Sequence, residues 1–219
     1  MFTLNEEMAE FYGILLGDGC ISRYVSQGRT RYEIRIDGNS LTDVKYYDYL
    51  KKLISKVANK EVKIRYRKNC NGIYIKFLDK EFANYLNKEL DFPMGKKGNI
   101  SISQKILSQE LYVQKALRGF FDTDGSIYFT KNNSKIRYYP IIELSTHSQA
   151  LIKQLKEILD KKGFKTTIAY YEDSVKLNGK PNVIKWMREI GSSSSYKKGR
   201  FESWLKKGYF KSTITYLNR

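Results

Sequence analysis

Residues 11–21 read Phe11-Tyr12-Gly13-Ile14-Leu15-Leu16-Gly17-Asp18-Gly19-Cys20-Ile21, and the same grammar returns 106 positions later as Leu117-Arg118-Gly119-Phe120-Phe121-Asp122-Thr123-Asp124-Gly125-Ser126-Ile127. In each copy an apolar helical run stops at Asp-Gly and a segment of alternating polarity follows. Gly13 and Gly17 lie four apart, hence on one helix face, and Gly119 and Thr123 repeat that spacing. Small residues at this interval let two helix backbones approach closely. Glycine costs about 1 kcal/mol in a helix interior relative to alanine, so two in one short helix ask for a reason. Close pairing of the two motif helices is such a reason.

The surrounding pattern also repeats. Residues 31–37 alternate as a half-buried strand should, and residues 137–145 do so more roughly. Amphipathic helices follow at 43–57 and 149–162, with Gly163 placed to close the second. Two short strands (62–66 and 73–77; 166–171 and 174–177) and a helix (81–90; 182–190) complete each half. The expected fold is α+β, αββαββα written twice, with halves at 1–92 and 109–219 joined by a connector at 93–108 that is poor in apolar residues. The segment around Trp204 is expected to pack back as a last helix.

The 219 residues suit one large domain or two fused halves of about 100. With 41% apolar and 14% aromatic residues the chain can bury a substantial core, which excludes global disorder. Forty Lys+Arg against 23 Asp+Glu give a formal charge of +17, which implies a polyanionic partner. A generic basic protein of the ribosomal kind would share that charge. A membrane partner is disfavoured, because the apolar runs fall far short of the roughly 20 residues a spanning helix needs. The first ten residues carry three Glu and no basic residue, so no signal peptide is read and an intracellular location is expected. Cys20, Cys70 and His147 are too few and too scattered for zinc. A catalytic metal here must be a hard cation held by oxygen.

Asp18 and Asp124 each fall in the last turn of a motif helix, the negative end of its dipole, where an anion is disfavoured. If the helices pair side by side, the two carboxylates meet, and like charges so placed raise a pKa or demand a cation. Mg²⁺ typically takes one or two protein carboxylates plus phosphate oxygens. Such a centre suits phosphodiester hydrolysis, with the attacking water and leaving oxygen both stabilised. Asp-Gly alone could be a helix-to-strand turn; two copies in matching context on a basic chain favour chemistry. A calcium loop starting at Asp122 fails because Asn133 stands where its Glu is required. Asp122 has no acidic counterpart in the first copy, where Leu16 stands, and is read as structural.

Phe11 to Gly19 and Leu117 to Gly125 align without gaps with the nine-residue signature of the LAGLIDADG homing endonucleases. The chain resembles the single-chain, two-motif members over nearly its whole length, since αββαββα is that family's unit. Gly38-Asn39-Ser40 with Tyr46-Tyr47, and Pro93-Met94-Gly95-Lys96-Lys97, are similar as well. The resemblance implies two pseudo-symmetric halves with antiparallel, saddle-shaped sheets and motif helices packed at the interface. It implies a monomeric, site-specific endonuclease that recognises a long asymmetric site in double-stranded DNA. It further implies hydrolysis of both strands with Mg²⁺, for which Mn²⁺ can substitute. Carried over, the catalytic and metal-holding acids are Asp18 and Asp124, with the carbonyls of Gly17 and Thr123 as extra ligands. Lys97 and Lys197 are the candidates for the family's lysine near the active centre. The family's polar position at the end of the second strand falls near Gly38 and Thr146; Gly38 departs from that pattern. His147 is read as a DNA-facing or surface residue.

On a saddle sheet one face packs on helices and the other faces DNA, so strand parity assigns roles. Tyr32, Ile34 and Ile36 take the core, which leaves Arg31, Glu33, Arg35 and Asp37 for the groove. Lys63, Arg65, Arg67, Tyr74 and Lys76 join them in half one; Tyr128, Thr130, Arg137, Tyr139, Glu143 and Lys176 form the set in half two. Loops at 22–30 and 130–135 are expected to extend the contact. A one-residue slip of register would exchange these sets with the core. Intron RNA, bound by a maturase that resembles the same family, is the alternative partner. A non-catalytic regulator would need a further recognition domain, for which about 30 residues after the second repeat leave no room. The Met-Phe-Thr start and Leu-Asn-Arg end lack the termini of a splicing module, so an intron-encoded or free-standing protein is expected.

Overall fold

Each half of the chain folds as αββαββα in a computed structural model that describes residues 2–211. The first half comprises α1 (Glu6–Leu16), β1 (Gly19–Ser26), β2 (Arg29–Asn39), α2 (Val44–Ala58), β3 (Ile64–Tyr66), β4 (Gly72–Leu78) and α3 (Lys80–Glu89). A single turn of helix, α4 (Gln104–Leu107), lies in the connector. The second half comprises α5 (Glu110–Asp124), β5 (Gly125–Thr130), β6 (Tyr139–Ser145), α6 (Gln149–Lys161), β7 (Thr166–Ile168), β8 (Ser174–Asn178) and α7 (Lys180–Glu189), and α8 (Ser195–Lys207) closes it. The two antiparallel sheets have the equivalent orders β1-β2-β4-β3 and β5-β6-β8-β7.

Several helices, though not α2, α5 or α7, start where a side chain satisfies a first-turn N–H group. Asn5 accepts from Met8 N at 2.8 Å, Asp79 from Phe82 N, and Ser148 from Leu151 N. Gly163, at φ +74°, follows α6 in the left-handed conformation that ends it. In α2 and α6 one stripe is buried (Leu50, Leu53, Ile54 and Val57; Leu151, Ile152, Leu155 and Leu159). By contrast α1 is buried on every side from Met8 to Leu16, as befits a helix between two halves.

The packing of α1 on α5 is what the small residues serve. A Cβ at Gly13 would overlap the Ala116 carbonyl, one at Gly119 the Glu10 carbonyl, and one at Gly17 the Thr123 hydroxyl. The same interface carries a buried ion pair, Glu10 with Arg118, in which Glu10 is 2% exposed. Tyr49 Oη and Ser193 Oγ each donate to Glu10 at 2.7 Å, tying α2 and the segment before α8 to the helix pair. Removing one partner of a buried pair leaves the other charge uncompensated. Arg118→Met is therefore expected to lower stability by about 3 kcal/mol, the low end of such effects because Tyr49 and Ser193 still serve Glu10. Urea unfolding checks this; a loss below about 1 kcal/mol would mean the pair is not holding the halves.

Several sequence expectations are corrected. Residues 22–26 are not a loop but the outer part of β1, and only Gln27 and Gly28 form the turn, both at positive φ. Alternation in that stretch is masked because both of its faces reach solvent. Arg137 lies outside β6, exposed, and pairs its backbone with Phe210 instead. Lys63 and Arg67 flank β3, which has only three residues. The connector is less polar in its structure than in its composition, since Ile100, Ile102 and Ile106 are all buried. Asp18 lies just past the end of α1, whereas Asp124 is the last residue of α5. Gly17 turns out of the helix at ψ −101°, while Thr123 Oγ1 donates to the carbonyls of Gly119 and Phe120 and keeps α5 wound one step further. Among the described residues no helix is long and apolar enough to cross a membrane.

Candidate active site

Because α1 and α5 pack side by side, their C-terminal ends bring Asp18 and Asp124 close enough for the two carboxyls to interact. Burial and then the Asp124 charge push Asp18 up to about 7, with Asp43 adding to the rise and Lys197 and Lys97 opposing it. Burial likewise raises Asp124 against both lysines.

Two lysines close the same helix ends with matching geometry. Lys97 Nζ donates to the carbonyls of Leu15 (3.2 Å), Leu16 (2.9 Å) and Gly17. Lys197 Nζ donates to Gly125 O at 2.6 Å, to Thr123 O at 3.5 Å and to Phe121 O. Four-carbon stems from the connector and from α8 thus place an ammonium on the orphan carbonyls of each motif helix. Burial lowers both amines, Lys197 to about 8 even with Asp122, Asp43, Asp18 and Asp124 favouring its charge.

Two clefts flank this centre. One, of about 530 Å³, holds Asp18 with Asp37, Asp43, Arg67 and Lys197. The other, of about 600 Å³, holds Asp124 with Lys97, Thr146, His147 and Asp173. Gly38 is compelled by what fills the first cleft: a Cβ there would lie 2.8 Å from Tyr47 Oη and 3.0 Å from Asp43 Oδ2. Asp43, fixed by Asn39 N at 2.8 Å and by Thr42 Oγ1, occupies the space a polar side chain at position 38 would take. Its sequence position at the start of α2 gave no sign of this. Asp122 is buried and accepts from Ser193 N at 2.6 Å and from Ser192 Oγ, pinning the entry to α8, as the structural reading expects.

The donor set fits a hard divalent cation: two carboxylates at mutual repulsion, with carbonyl oxygens beside them. Each carbonyl has two lone pairs, so the Gly17 and Thr123 oxygens retain one beyond their lysine hydrogen bond. Among the described residues no group of three or more His, Cys, Asp or Glu side chains converges, so a cation here would rest on two carboxylates with carbonyl, water and phosphate oxygens.

Without a cation the two acids make stability fall with pH. An acid whose folded pKa is raised contributes stability present below its ordinary range and lost as pH rises through the raised value. For Asp18 that window runs from about 4 to about 7. The midpoint of thermal unfolding in EDTA is expected to fall from pH 5 to pH 7.5, and Mg²⁺ or Mn²⁺ to raise it more at pH 7.5. Asp18→Asn should flatten the profile; equal metal increments at both pH values would contradict a cation shared by the acids.

The sheets place the other predicted residues. Ile34 and Ile36 face the core, so Arg31, Glu33, Arg35 and Asp37 share the open face with Arg65, Tyr74 and Lys76. In the second sheet Ile127, Ile142 and Leu144 face the core, leaving Tyr128, Thr130, Tyr139, Glu143 and Lys176 open. Parity also puts Cys20, Ser22 and Tyr24 of β1 on the open face, which the sequence reading assigned to no face. Many of the charges are paired to one another: Arg35 and Arg67 with Asp37, Lys76 with Glu33, Lys176 with Glu143.

Residues 112–198 match the family model described as the LAGLIDADG-like domain. That match takes in most of the second half, from α5 into α8. The first half repeats its topology without being covered by that match, and the fold of the whole is the one seen in LAGLIDADG homing endonucleases. A structure of I-DmoI with DNA and Mn superposes with a TM-score of 0.59 at 19% identity, covering 86% of this chain and 97% of that one. I-LtrWI bound to target DNA gives 0.61 at 13% identity, over 93% of this chain and 90% of that one. I-AabMI bound to uncleaved DNA gives 0.58 at 13%, over 98% and 97%. At these identities the likeness is one of fold. Among curated proteins nothing matches. Within the matched residues lie Asp124, the open face of the second sheet and Lys197; Asp18 and Lys97 come from outside them.

Proposed function

We propose that this protein is a site-specific endonuclease of double-stranded DNA that hydrolyses both strands of a long asymmetric site with a divalent cation, Mg²⁺ or Mn²⁺. The observation that carries the reading is the meeting of Asp18 and Asp124 at the ends of paired helices, between two open sheet faces, on a chain of charge +17. The related structures bound to DNA and Mn support it.

Held by Asp18 and Asp124, a divalent cation would supply Lewis-acid stabilisation of the charge that builds on the scissile phosphate and its attacking and leaving oxygens. The chain's own residues do the rest. Asp18 and Asp124, ionised when the cation binds, fix its place between the two strands. Lys97 and Lys197 neutralise the carbonyl ends of the helices and present positive charge toward phosphate. Residues 1–92 and 109–219 each bring one acid, so a single chain is the working unit. An intracellular location agrees with the two free thiols.

One observation favours a second reading, in which intron RNA is the partner. Tyr170 and Tyr171, 93% and 82% exposed with ring centroids 5.2 Å apart, sit on the β7–β8 turn, where unstacked RNA bases could stack on them. The deciding experiment offers a library of long duplexes in Mg²⁺, with structured intron RNA as competitor. The proposal expects double-strand ends at one sequence. Tight RNA binding with no DNA cut in Mg²⁺ or Mn²⁺ would overturn it and favour the second reading.

A further inference from the structure

The two open faces differ in chemistry far more than their common topology requires. Residues directly opposite in an antiparallel sheet share a face, so the register identifies each set. In the first sheet Arg35 stands opposite Cys20 and Lys76, Glu33 opposite Ser22, and Arg31 opposite Tyr24. Asp37 stands opposite Tyr74, which also faces Arg65. Charge of both signs runs the length of this face.

The second face is mainly neutral. Tyr128 stands opposite Ile141, which stands opposite Asn178; Thr130 stands opposite Tyr139. Its charged pair, Lys176 with Glu143 at 3.3 Å, is satisfied further by Ser174 Oγ, which donates to Glu143 at 2.6 Å.

These sets correspond to different base pairs. Arg35 is clamped by Asp37 through Nε (2.8 Å) and Nη2 (2.9 Å), and its guanidinium lies 4.5 Å from the centroid of the Tyr74 ring. Three of its five N–H groups remain for a further acceptor, and the rotamer is already held. A guanidinium so fixed suits O6 and N7 of guanine, and Glu33, whose Oε2 accepts from Lys76 and Tyr24, has Oε1 left to accept from cytosine N4. On the other face Asn178 Nδ2 donates to Thr167 Oγ1 at 2.9 Å, which holds the amide in place; its second N–H and its Oδ1 match adenine, and Ile141 offers apolar surface for the thymine methyl.

We propose that the two halves read half-sites of opposite base composition, a G·C-rich one under the first sheet and an A·T-rich one under the second. The inference rests on the duplex-DNA reading above. The half-sites also differ in length. The long strands of the two sheets have 11 and 7 residues. At about 3.3 Å per residue they reach roughly 36 and 23 Å, or about 11 and 7 base pairs at 3.4 Å each.

The test is selection from a randomised duplex library in Ca²⁺, repeated with Arg35→Ala, Arg35→Lys and Asn178→Ala, each checked for its fold by circular dichroism. The expected site is G·C-rich and longer on one flank. Arg35→Ala and Arg35→Lys should each weaken one G·C preference on that flank roughly tenfold, and Asn178→Ala an A·T preference on the other. Arg35→Lys keeps the charge and loses only the fork, so a folding defect in the alanine variant leaves the proposal testable. A selected site with equal composition on both flanks, or an arginine variant that relaxes the A·T flank, overturns the inference and leaves the endonuclease reading intact. Failure to select any duplex removes the DNA reading and this inference with it.

Discussion

Asp124→Asn is expected to abolish cleavage, by about a thousandfold or more, while the protein folds and binds its duplex in Ca²⁺ as before. Asp18→Asn should do the same. Removing one preorganised stabilising group from an active site costs about 10²–10³-fold, and each aspartate is half of the carboxylate set on which the cation depends. The asparagine keeps the shape and the hydrogen bonding and removes the charge. Stability cannot account for the loss. Asp18 is raised to about 7 by burial and by Asp124, so neutralising either acid removes repulsion and makes the cation-free protein more stable at neutral pH. The check pairs a strand-resolved cleavage assay with thermal unfolding. Cleavage within tenfold of the parent in either variant would contradict the assignment.

Gly119→Leu is expected to part the halves. Even a Cβ at this position overlaps the Glu10 carbonyl and comes to 2.9 Å from Ile14 N, both backbone, so neither can rotate away. The gain of about 1 kcal/mol in helix propensity is outweighed by overpacking, which costs about 1–3 kcal/mol where side chains can adjust and exceeds 4 in the exceptional cases to which this belongs. A drop of at least about 6 °C in unfolding midpoint is expected, from a net loss of about 3 kcal/mol or more at about 2–4 °C per kcal/mol for a chain of this size. Cleavage should be lost below that midpoint too, because Asp18 and Asp124 no longer meet. Differential scanning calorimetry with a cleavage assay at 20 °C checks both; a midpoint within 3 °C of the parent would mean the helices do not approach as described.

What the sequence disclosed, and what it withheld, follows from the range over which each signal acts. The doubled Gly-x-x-x-small spacing and the Asp-Gly stops are local, and they led directly to the paired helices and the two acids. Strand parity was legible because Ile34 and Ile36 alternate with charges over a long strand. Lys97 and Lys197 were proposed through the resemblance, since nothing local marks them. Their place depends on the connector and α8 folding back some 75 to 80 residues onto the helix ends. Asp43 was missed for the same reason: it enters the Asp18 cleft only because Gly38 leaves room and Tyr47 fills the remainder. Arg137 was misplaced because its partner, Phe210, is distant in the chain. The buried isoleucines of the connector carry no periodicity long enough to read.

The most direct test of the account is Mn²⁺ binding followed by electron paramagnetic resonance in the presence of duplex DNA, for the parent protein and for Asp18→Asn and Asp124→Asn. Tightly held Mn²⁺ is expected in the parent, with a loss of at least tenfold in affinity in each variant. Equal Mn²⁺ affinity in all three proteins would show that the two aspartates do not hold the cation, and would contradict the centre described here.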